Sequence, residues 1–431
     1  MMDCLTAGSK LLDLFRSVLD CCEVGRAFDR CPFEDVIGAV RHTRGRVYVV
    51  AMGKSATGMA EELMRRSDIA PVAGVLASPV LKGWSHPRFH TFEGGHPMPN
   101  TESIDAARTA LSMLNGMTSH DAVIFLVSGG GSACFELPIS DTITLADLVE
   151  MNRVLISGEL TIVETNTIRK HISKVKGGRL AVAAAPAQQL TLYISDVPHG
   201  YPSFVASGPS MPDDSTIQEM HTLIRRHKLT SALPNSIKAL IRRGVVPETP
   251  KSEHPAFQAA RWHKLLDNDD AIIAAVSFAE QSGWKPVVVE MPDDTSARDA
   301  ARTLTERAEA TVNGHDGKPV AVISGGELVS PVLGRGRGGR NQAFALECVE
   351  IIAGKRIVVL SAGTDGIDGN SSAAGAFADE TTLSRSLAAG LVVAKAREAS
   401  DSNGFFDRLG DTIVTGPTGS NVRDIRVVLA W

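Results

Sequence analysis

The chain lacks the patterns that mark zinc-binding, secreted and membrane proteins. Its six cysteines form no CxxC pair, which argues against a zinc site, and scattered cysteines in a chain of 431 residues are typical of a reducing compartment. The N-terminal stretch has no basic segment followed by an apolar one, so we expect no signal peptide. No apolar run approaches the length needed to span a bilayer. The sequence therefore predicts a soluble cytoplasmic protein with no membrane partner.

An excess of positive charge is also missing. The formal net charge is -5 and the isoelectric point is about 6.2. Proteins that bind nucleic acids usually carry a basic surface or stripe, so we expect no nucleic-acid partner. Arginines that stand in glycine-rich segments are then better explained as local clamps for an anion than as parts of a general positive field.

Apolar runs that end in glycine alternate with helical patterns along most of the chain. Residues 46–53 and 121–133 have the composition of buried strands followed by tight turns, and residues 319–327 and 356–363 repeat the pattern. Alternation of this kind predicts an α/β fold with a parallel, helix-covered sheet of the Rossmann-like type.

A change of texture divides the sequence. Residues 207–255 are rich in proline and serine, which predicts a domain boundary near residue 250. The expected organisation is an N-terminal Rossmann-like α/β domain over residues 1–250 and a C-terminal α/β domain over residues 251–431. Ligands of open α/β sheets bind at the carboxyl ends of strands, so we expect a cleft between the two domains.

Three glycine-rich stretches follow predicted strands, at residues 126–133, 324–342 and 361–370. Glycine leaves backbone N–H groups bare, so an anion can approach them closely. In the stretch 126–133 the spacing does not match the dinucleotide fingerprint, because Cys134 stands where the third glycine should be. A tight strand–helix turn would explain the same residues without a ligand.

Lys54 stands at a turn between a predicted strand and a predicted helix, in the segment GKSA. The segment is not a P-loop, because Tyr48 occupies the position where that motif requires glycine. A helix start is nevertheless a suitable place for an ammonium group that faces an anion. An exposed lysine without a ligand is an equally good explanation of this residue alone.

The stretch 324–342 adds Arg335, Arg337 and Arg340 to its glycines. A guanidinium forks onto phosphate or carboxylate oxygens and keeps its charge at any working pH. The GRGRGG segment matches GxGxxG only formally, and a mobile surface loop remains an alternative.

Acids follow three predicted strands, at Asp196, Glu327 and Asp365. Asp196 and Asp365 could hold Mg²⁺ or orient a hydroxyl, or simply cap a turn. The segment 166–181 gathers five basic residues, among them Arg169 and Lys170, on an expected helix. That helix could face an anion or could present a solvated basic surface.

Taken together, the motifs are recognisable by their order: GKSA, GGHPMPNTES, SGGGSA, NTIRKHISKVKGGRLA, ASGPS, SGGE, GRGGRNQ, GTDG and TGPTGSNV. The ordered set resembles the glycerate 2-kinase family, whose C-terminal part is the MOFRL domain, here about residues 318–425. The resemblance implies phosphorylation of D-glycerate on its 2-hydroxyl with ATP and Mg²⁺ as cofactors, and an active site in the cleft between two α/β domains. The family's functional lysine falls on Lys54 and its functional arginine on Arg340.

The predicted site is the following set. Lys54, Arg340 and Asp196 are expected to be catalytic, and Asp196 and Asp365 to bind the metal. Nucleotide or phosphate contacts are expected from Ser128, Gly129, Gly130, Gly131, Ser132, Glu327, Gly338, Gly339 and Asn341. Substrate contacts are expected from Ser55, Arg169, Lys170 and Asp365.

The chain departs from the usual family pattern at Asn100, Ala343, Ser372 and Arg423. These departures leave a kinase for a related short sugar acid or hydroxy-keto acid as an alternative. An NAD(P)-dependent hydroxypyruvate reductase and a non-catalytic sugar-phosphate-binding regulator are further alternatives. The partner is expected to be a small molecule, and a homodimer is compatible with the sequence without being required by it.

Overall fold

The computed structural model describes residues 4–66, 68–158, 160–314 and 318–431. The helices are α1 Cys4–Cys21, α2 Val24–Arg30, α3 Phe33–Arg41, α4 Ala56–Arg66, α5 Thr101–Leu114, α6 Gly131–Cys134, α7 Leu145–Ser157, α8 Ile162–Ile172, α9 Arg179–Ala184, α10 Ile217–Arg226, α11 Asn235–Arg242, α12 Asn268–Gln281, α13 Ala297–Asn313, α14 Arg340–Ile351, α15 Thr382–Ala388, α16 Val393–Ala399 and α17 Ser402–Leu409. Short 3-10 helices span Pro202–Ser207 and Pro255–Phe257.

The strands are β1 Val47–Met52, β2 Ala73–Ser78, β3 Phe89–Glu93, β4 Ala122–Val127, β5 Gln188–Ile194, β6 Ala260–Leu266, β7 Lys285–Val288, β8 Val320–Gly326, β9 Ile357–Gly363, β10 Gly375–Ala378, β11 Thr412–Ile413 and β12 Asp424–Ala430. They form two six-stranded sheets, and helices are interleaved with the strands of both. The predicted α/β class is confirmed. Within the described residues, none of the helices is both long and apolar enough to cross a bilayer.

The chain divides into two compact units. The central unit is Phe28–Leu265, and the terminal unit combines Leu266–Trp431 with Ala27 and the described residues before it. The predicted domain over residues 1–250 therefore differs from the central unit at its N-terminal bound, since Ala27 and the described residues before it belong to the terminal unit. Helix α1 is amphipathic, and its buried face, which includes Leu11 and Leu14, packs against α12 and β9 of the terminal unit.

The boundary predicted near residue 250 lies 15 residues before the end of the central unit at Leu265. The segment 207–255 contains helices α10 and α11, and their apolar residues Met220, Ile224 and Ile237 belong to the core of the central unit. Proline and serine in this stretch mark turns between helices rather than an extended connection between domains.

The sheet of the central unit has the order β3-β2-β1-β4-β5-β6, and its pairs from β3 through β5 are parallel. The register pairs Met52 with Val127 and Val127 with Tyr193. Because parallel strands end at the same edge, the turns after β1, β4 and β5 lie side by side. These turns carry Lys54, the glycines of SGGGSA and Asp196, as the strand–helix alternation predicts.

The sheet of the terminal unit is mixed, with the order β11-β10-β9-β12-β8-β7. Strand β12 lies in its middle and pairs antiparallel with both β8 and β9. This register sets Asp424 opposite Gly326 on one side and Gly363 on the other. The first residue of β12 therefore stands beside the ends of two strands that lead into glycine-rich loops.

Candidate functional site

The turn that follows β1 is tied to the turn that follows β4. The backbone N–H of Lys54 donates to the carbonyl of Gly129 at 2.8 Å. The backbone N–H of Ser55 donates to Ser128 Oγ at 3.1 Å, and this hydroxyl donates to the Met52 carbonyl at 3.2 Å. These bonds bring two of the predicted segments together and hold Lys54 next to the glycine turn.

Two serines expected to contact ligands have side chains enclosed by the protein. Ser128 is buried, and its hydroxyl already accepts one hydrogen bond and donates another inside the protein. Ser55 is also buried, and its hydroxyl is sealed from solvent without a hydrogen-bond partner among the described residues. The edge of the sheet encloses both hydroxyls, and the ligand contacts predicted for Ser128 and Ser55 stay predictions.

The glycine turn itself leaves two donors available. The N–H of Gly131 is occupied, since it donates to the Ser128 carbonyl at 3.2 Å, which corrects the expectation for that residue. The N–H groups of Gly129 and Gly130 donate to no acceptor in the part of the chain that the structure describes. Adjacent unpaired N–H groups in a turn form a concave site suited to an anion.

Charged and polar side chains surround this turn. Gly130 has φ +81, and a Cβ there would lie 3.2 Å from Lys54 Cγ and 3.2 Å from His96 Cδ2. Gly129 packs so closely against the carboxylate of Asp196 that a Cβ would overlap with it. Lys54, Asp196 and the exposed His96 therefore border the two available N–H groups. His96 belongs to the GGHPMPNTES segment of the family resemblance. The spacing of that segment does not indicate that His96 lies beside the glycine turn.

Ser132 makes a different kind of contact from the glycines before it. Its Oγ lies 2.6 Å from Ser207 Oγ, and Ser207 Oγ donates to Asn166 Oδ1 at 2.8 Å. Ser207 and Asn166 are buried and were missed by sequence reasoning, because their partners are 75 and 41 residues away. Hydrogen bonds of this range leave no spacing pattern in the sequence.

The basic segment after residue 166 is mostly internal. Helix α8 ends at Ile172, and the ammonium of Lys170 is buried at 2.9 Å from Asp213. Burial lowers the pKa of Lys170, and the charge of Asp213 opposes that shift. The side chain of Lys170 forms a buried ion pair, and its expected substrate contact stays a prediction. A solvated basic surface does not describe it.

Arg169 behaves differently from its neighbour. It is partly exposed, and its Nε donates to Asn152 Oδ1 at 2.9 Å. Among the described residues no carboxylate lies within ion-pair distance of its guanidinium. Burial lowers the pKa of Arg169, an effect that the charge of Glu136 partly opposes. Arg169 thus remains a candidate for binding an anion.

In the terminal unit, the start of helix α14 is occupied by the protein's own carboxylate. Asp368 Oδ1 accepts from the backbone N–H of Asn341 at 3.1 Å and from its side-chain amide at 3.3 Å. Asp368 Oδ2 accepts from the backbone N–H and the side-chain amide of Gln342 at 2.9 and 3.0 Å. An acid at this position satisfies the unpaired N–H groups of a helix N-terminus and complements its dipole.

Three residues predicted to contact phosphate lie in or beside this internal network. Asn341 is buried, with its N–H groups on Asp368 and its Oδ1 accepting from Ser361 Oγ at 2.6 Å. Gly338 donates its N–H to Asn370 Oδ1 at 2.8 Å, and Gly339 packs against the Asp368 carboxylate. The helix start that the GGRNQ segment suggests for phosphate is already filled from within.

Arg340 is held by two acids. Its Nε donates to Asp424 Oδ2 at 2.5 Å, and its Nη2 lies 2.7 Å from Glu327 Oε1. Burial lowers the pKa of Arg340, but the charges of Asp424 and Glu327 raise it more, so that the pKa lies above its usual value. Nη1 makes no hydrogen bond with any described residue. Glu327, predicted to contact phosphate, forms an ion pair with this guanidinium.

Two further arginines on or beside β12 support the same loop. The guanidinium of Arg426 is buried and donates to the carbonyls of Gly325 and Gly326, which fixes the loop that leads to Glu327. Burial lowers the pKa of Arg426 to about 10. Arg423 adopts φ +72 and bonds to Asp293. Arg423 appeared in the sequence only as a departure from the family pattern, and the role of Arg426 was missed because β12 was not predicted.

Asp365 stands in the turn after β9. Its Oδ1 accepts from the backbone N–H of Ile367 at 3.1 Å, and Gly363 separates it from Asp424. Taken separately, neither unit brings three His, Cys, Asp or Glu side chains within 4.8 Å of one another among its described residues. Mg²⁺ is commonly held by one or two carboxylates together with substrate phosphates and water. Asp196 and Asp365 fit that mode of binding rather than an all-protein cage.

A cavity of about 700 Å³ opens beside Arg340 in the terminal unit. The exposed apolar residues Val332 and Leu333 line it together with Gly338 and Asn370. Its volume lies within the range of small-molecule sites, and its lining combines apolar side chains with a few polar groups, as such sites usually do.

Two family models match the chain. The domain of unknown function DUF4147 covers residues 10–242, and the MOFRL family covers residues 320–424. A protein of Agrobacterium vitis that is provisionally named hydroxypyruvate reductase is 36% identical over 90% of this chain and 87% of its own length. D-glycerate 2-kinase of Thermotoga maritima is 32% identical over 89% of this chain and 90% of its own length.

The fold has a solved counterpart. The crystal structure of glycerate kinase from Thermotoga maritima superposes with a TM-score of 0.84 at 30% identity, and the match covers 99% of this chain and 100% of that one. The chain is thus an α/β protein that joins a DUF4147 domain to a MOFRL domain. It belongs to the glycerate 2-kinase family.

Proposed function

We propose that the protein transfers a phosphoryl group from ATP to the 2-hydroxyl of D-glycerate, giving 2-phosphoglycerate and ADP. The observation that carries this proposal is the turn after β4. The N–H groups of Gly129 and Gly130 there have no acceptor among the described residues and lie beside Lys54 and Asp196. An anion nest, a cation and a carboxylate at one strand end are the groups that phosphoryl transfer to a hydroxyl requires.

Lys54 and the two N–H groups have one role in this proposal. They hold and neutralise the charge that spreads over the oxygens of the transferring phosphoryl group. The contacts of Lys54 with the glycine turn fix these donors before the substrate binds, so little reorganisation is needed during the reaction. Asp196 is the group that accepts the proton of the substrate hydroxyl.

Arg340 has a second role. Asp424 and Glu327 hold its guanidinium by Nε and Nη2, which leaves Nη1 to donate to a phosphate oxygen. Asp424 and Glu327 offset the positive charge around Arg340, so Arg340 contributes through orientation more than through long-range attraction. The cavity lined by Val332 and Leu333 is the place that we assign to the nucleotide base.

Mg²⁺ would be held by Asp196 or Asp365 with phosphate oxygens. When bound, it would neutralise phosphate charge. The carboxylate oxygens of both residues are the hard ligands that this ion prefers, and each follows the end of a strand.

A hydroxypyruvate reductase is the second candidate, because a relative carries that name. The turn after β4 does not support dinucleotide binding: Cys134 is buried where the fingerprint needs its third glycine. Measuring ADP release with D-glycerate, L-glycerate and hydroxypyruvate, and NADH oxidation with hydroxypyruvate, tests both candidates. We expect ADP release with D-glycerate alone, and NADH oxidation without ADP release would overturn the proposal.

A further inference from the structure

The side-chain amide of Asn166 has a fixed orientation. Ser207 Oγ donates its single proton to Asn166 Oδ1 at 2.8 Å, so Ser132 Oγ, at 2.6 Å, must donate to Ser207. The oxygen of the amide is thereby defined, and Nδ2 keeps both of its N–H groups. Within the described residues these N–H groups meet no acceptor, although the residue is only 3% exposed.

The backbone that holds Ser207 is strained. Ala206 and Ser207 adopt φ +50 and +60, in the left-handed region that side chains other than glycine rarely occupy. Such a conformation is costly and persists where the surrounding structure requires it. Both residues are buried, and Gly131 packs against Ala206 at a distance that leaves no room for a Cβ. The strained turn therefore holds Ser207 close to the glycine turn, where its hydroxyl reaches Ser132.

Arg169 lies three residues after Asn166 on α8, so the two side chains share one face of that helix. Its Nε is held by Asn152. Its two remaining nitrogens make no hydrogen bond with any described residue, which leaves the fork of the guanidinium unfilled.

The nearest acid cannot neutralise Arg169. Glu136 is buried, with Oε2 at 2.5 Å from Lys176 Nζ and Oε1 accepting from Ser173 Oγ at 2.6 Å. Lys176 thus takes up the charge of Glu136, and Arg169 keeps no ion-pair partner among the described residues. Burying an uncompensated charge is costly, so a net positive charge here favours the binding of an anion.

We propose that Arg169 and Asn166 bind the carboxylate of the hydroxy-acid substrate. The guanidinium fork matches the two carboxylate oxygens, and the amide N–H groups of Asn166 add donors from the same helix face. This inference rests on the proposed function for the identity of the acid, but it concerns binding and not transfer. It selects short 2-hydroxy acids over neutral polyols.

The test measures binding without nucleotide, by calorimetry, with D-glycerate and its neutral amide, D-glyceramide, as probes. We expect the full-length protein to prefer the acid. Arg169→Met should lower the affinity for D-glycerate about 10-fold to 100-fold, the value of a lost charge-assisted bond, and leave that for D-glyceramide nearly unchanged. Arg153→Met is the matched control, since Arg153 lies on α7 and forms an ion pair with the exposed Glu150.

Asn166→Asp tests the proposal where Arg169→Met fails to fold. It keeps the size of the side chain and adds a negative charge, so it should abolish the preference for the acid. Equal affinity of wild type and Arg169→Met for D-glycerate, or equal losses for acid and amide, would overturn the inference. Selective binding that depends on Arg169 but without ADP release would overturn the proposed function and leave this site standing.

Discussion

Asp368 holds Asn341 through a single carboxylate oxygen, which accepts both the backbone N–H and the side-chain amide at 3.1 and 3.3 Å. Its second oxygen holds Gln342 in the same way. The helix start that resembles an open phosphate site is thus closed by an internal acid. This relationship moves the candidate anion site to the turn after β4, where Gly129 and Gly130 keep unpaired N–H groups.

Removing the carboxylate of Asp368 should destabilise the terminal unit. Asp368→Ala leaves four donors at the start of α14 without their acceptor, and we expect a loss of about 2 kcal/mol or more in the free energy of unfolding. Urea denaturation measures it. Asp407→Ala, on the exposed side of α17, is the control and should change stability by less than about 0.5 kcal/mol. An equal effect of both variants would contradict the capping role.

Removing the ammonium of Lys54 should affect catalysis and not folding. Lys54→Met takes the cation away from the glycine turn, and we expect kcat to fall about 10²-fold to 10³-fold, as for other preorganised charge donors. Steady-state ADP release measures this. Lys238→Met on α11 removes a lysine whose ammonium donates to the Ser231 carbonyl, and it should retain wild-type turnover. Near-normal activity of folded Lys54→Met would contradict the role assigned to Lys54.

Arg340 should matter for both stability and activity. Arg340→Ala leaves Asp424, which is 1% exposed, without its cation, and we expect a loss of about 2 kcal/mol in unfolding free energy. Arg340→Lys keeps the charge but cannot span Asp424 and Glu327, so it should fold and still lose at least about 10-fold in kcat. Arg335→Ala, in the same loop and exposed, is the control. Wild-type kcat in Arg340→Lys would show that the fork is not needed.

The helix that carries Asn166 and Arg169 should loosen at low pH. Burial raises the pKa of Glu248, but hydrogen bonds from Ile217, His171 and Thr249 together lower it by more. The resulting pKa is about 2, against an ordinary value of 4.5. The stabilisation is therefore complete above pH 5 and is lost as the pH falls towards 2.

Glu248→Gln removes this dependence. We expect the difference in urea midpoint between wild type and variant to be larger at pH 6 than at pH 3, by a modest amount because the Glu248 side chain is 43% exposed. A difference that stays constant between the two pH values would show that this carboxylate does not titrate with the fold.

Several parts of this structure follow from local sequence. The apolar runs before Gly53 and Ser128 predict buried strands, and parallel strands end at a common edge. Lys54, the glycine turn and Asp196 therefore come together as expected. These features depend on hydrophobic pattern and chain direction, which neighbouring residues are sufficient to define.

Other parts depend on partners that are distant in sequence. Asp368 caps the start of α14 by accepting from Asn341, which lies 27 residues earlier in the sequence. Lys170 pairs with Asp213, which lies 43 residues later. Burial decides that these charges are internal, and no local spacing indicates it. Helix α1 illustrates the same limit, because an amphipathic helix shows that one face is buried but not which sheet covers it.

The central claim is tested most directly by identifying the product. The purified protein is incubated with D-glycerate, ATP and Mg²⁺, and the phosphorylated acid is assigned by ³¹P and ¹H NMR. The account predicts 2-phosphoglycerate with equimolar ADP, and strongly reduced product with Lys54→Met. A product phosphorylated at the 3-hydroxyl, or no phosphorylated acid from a folded protein, would contradict it.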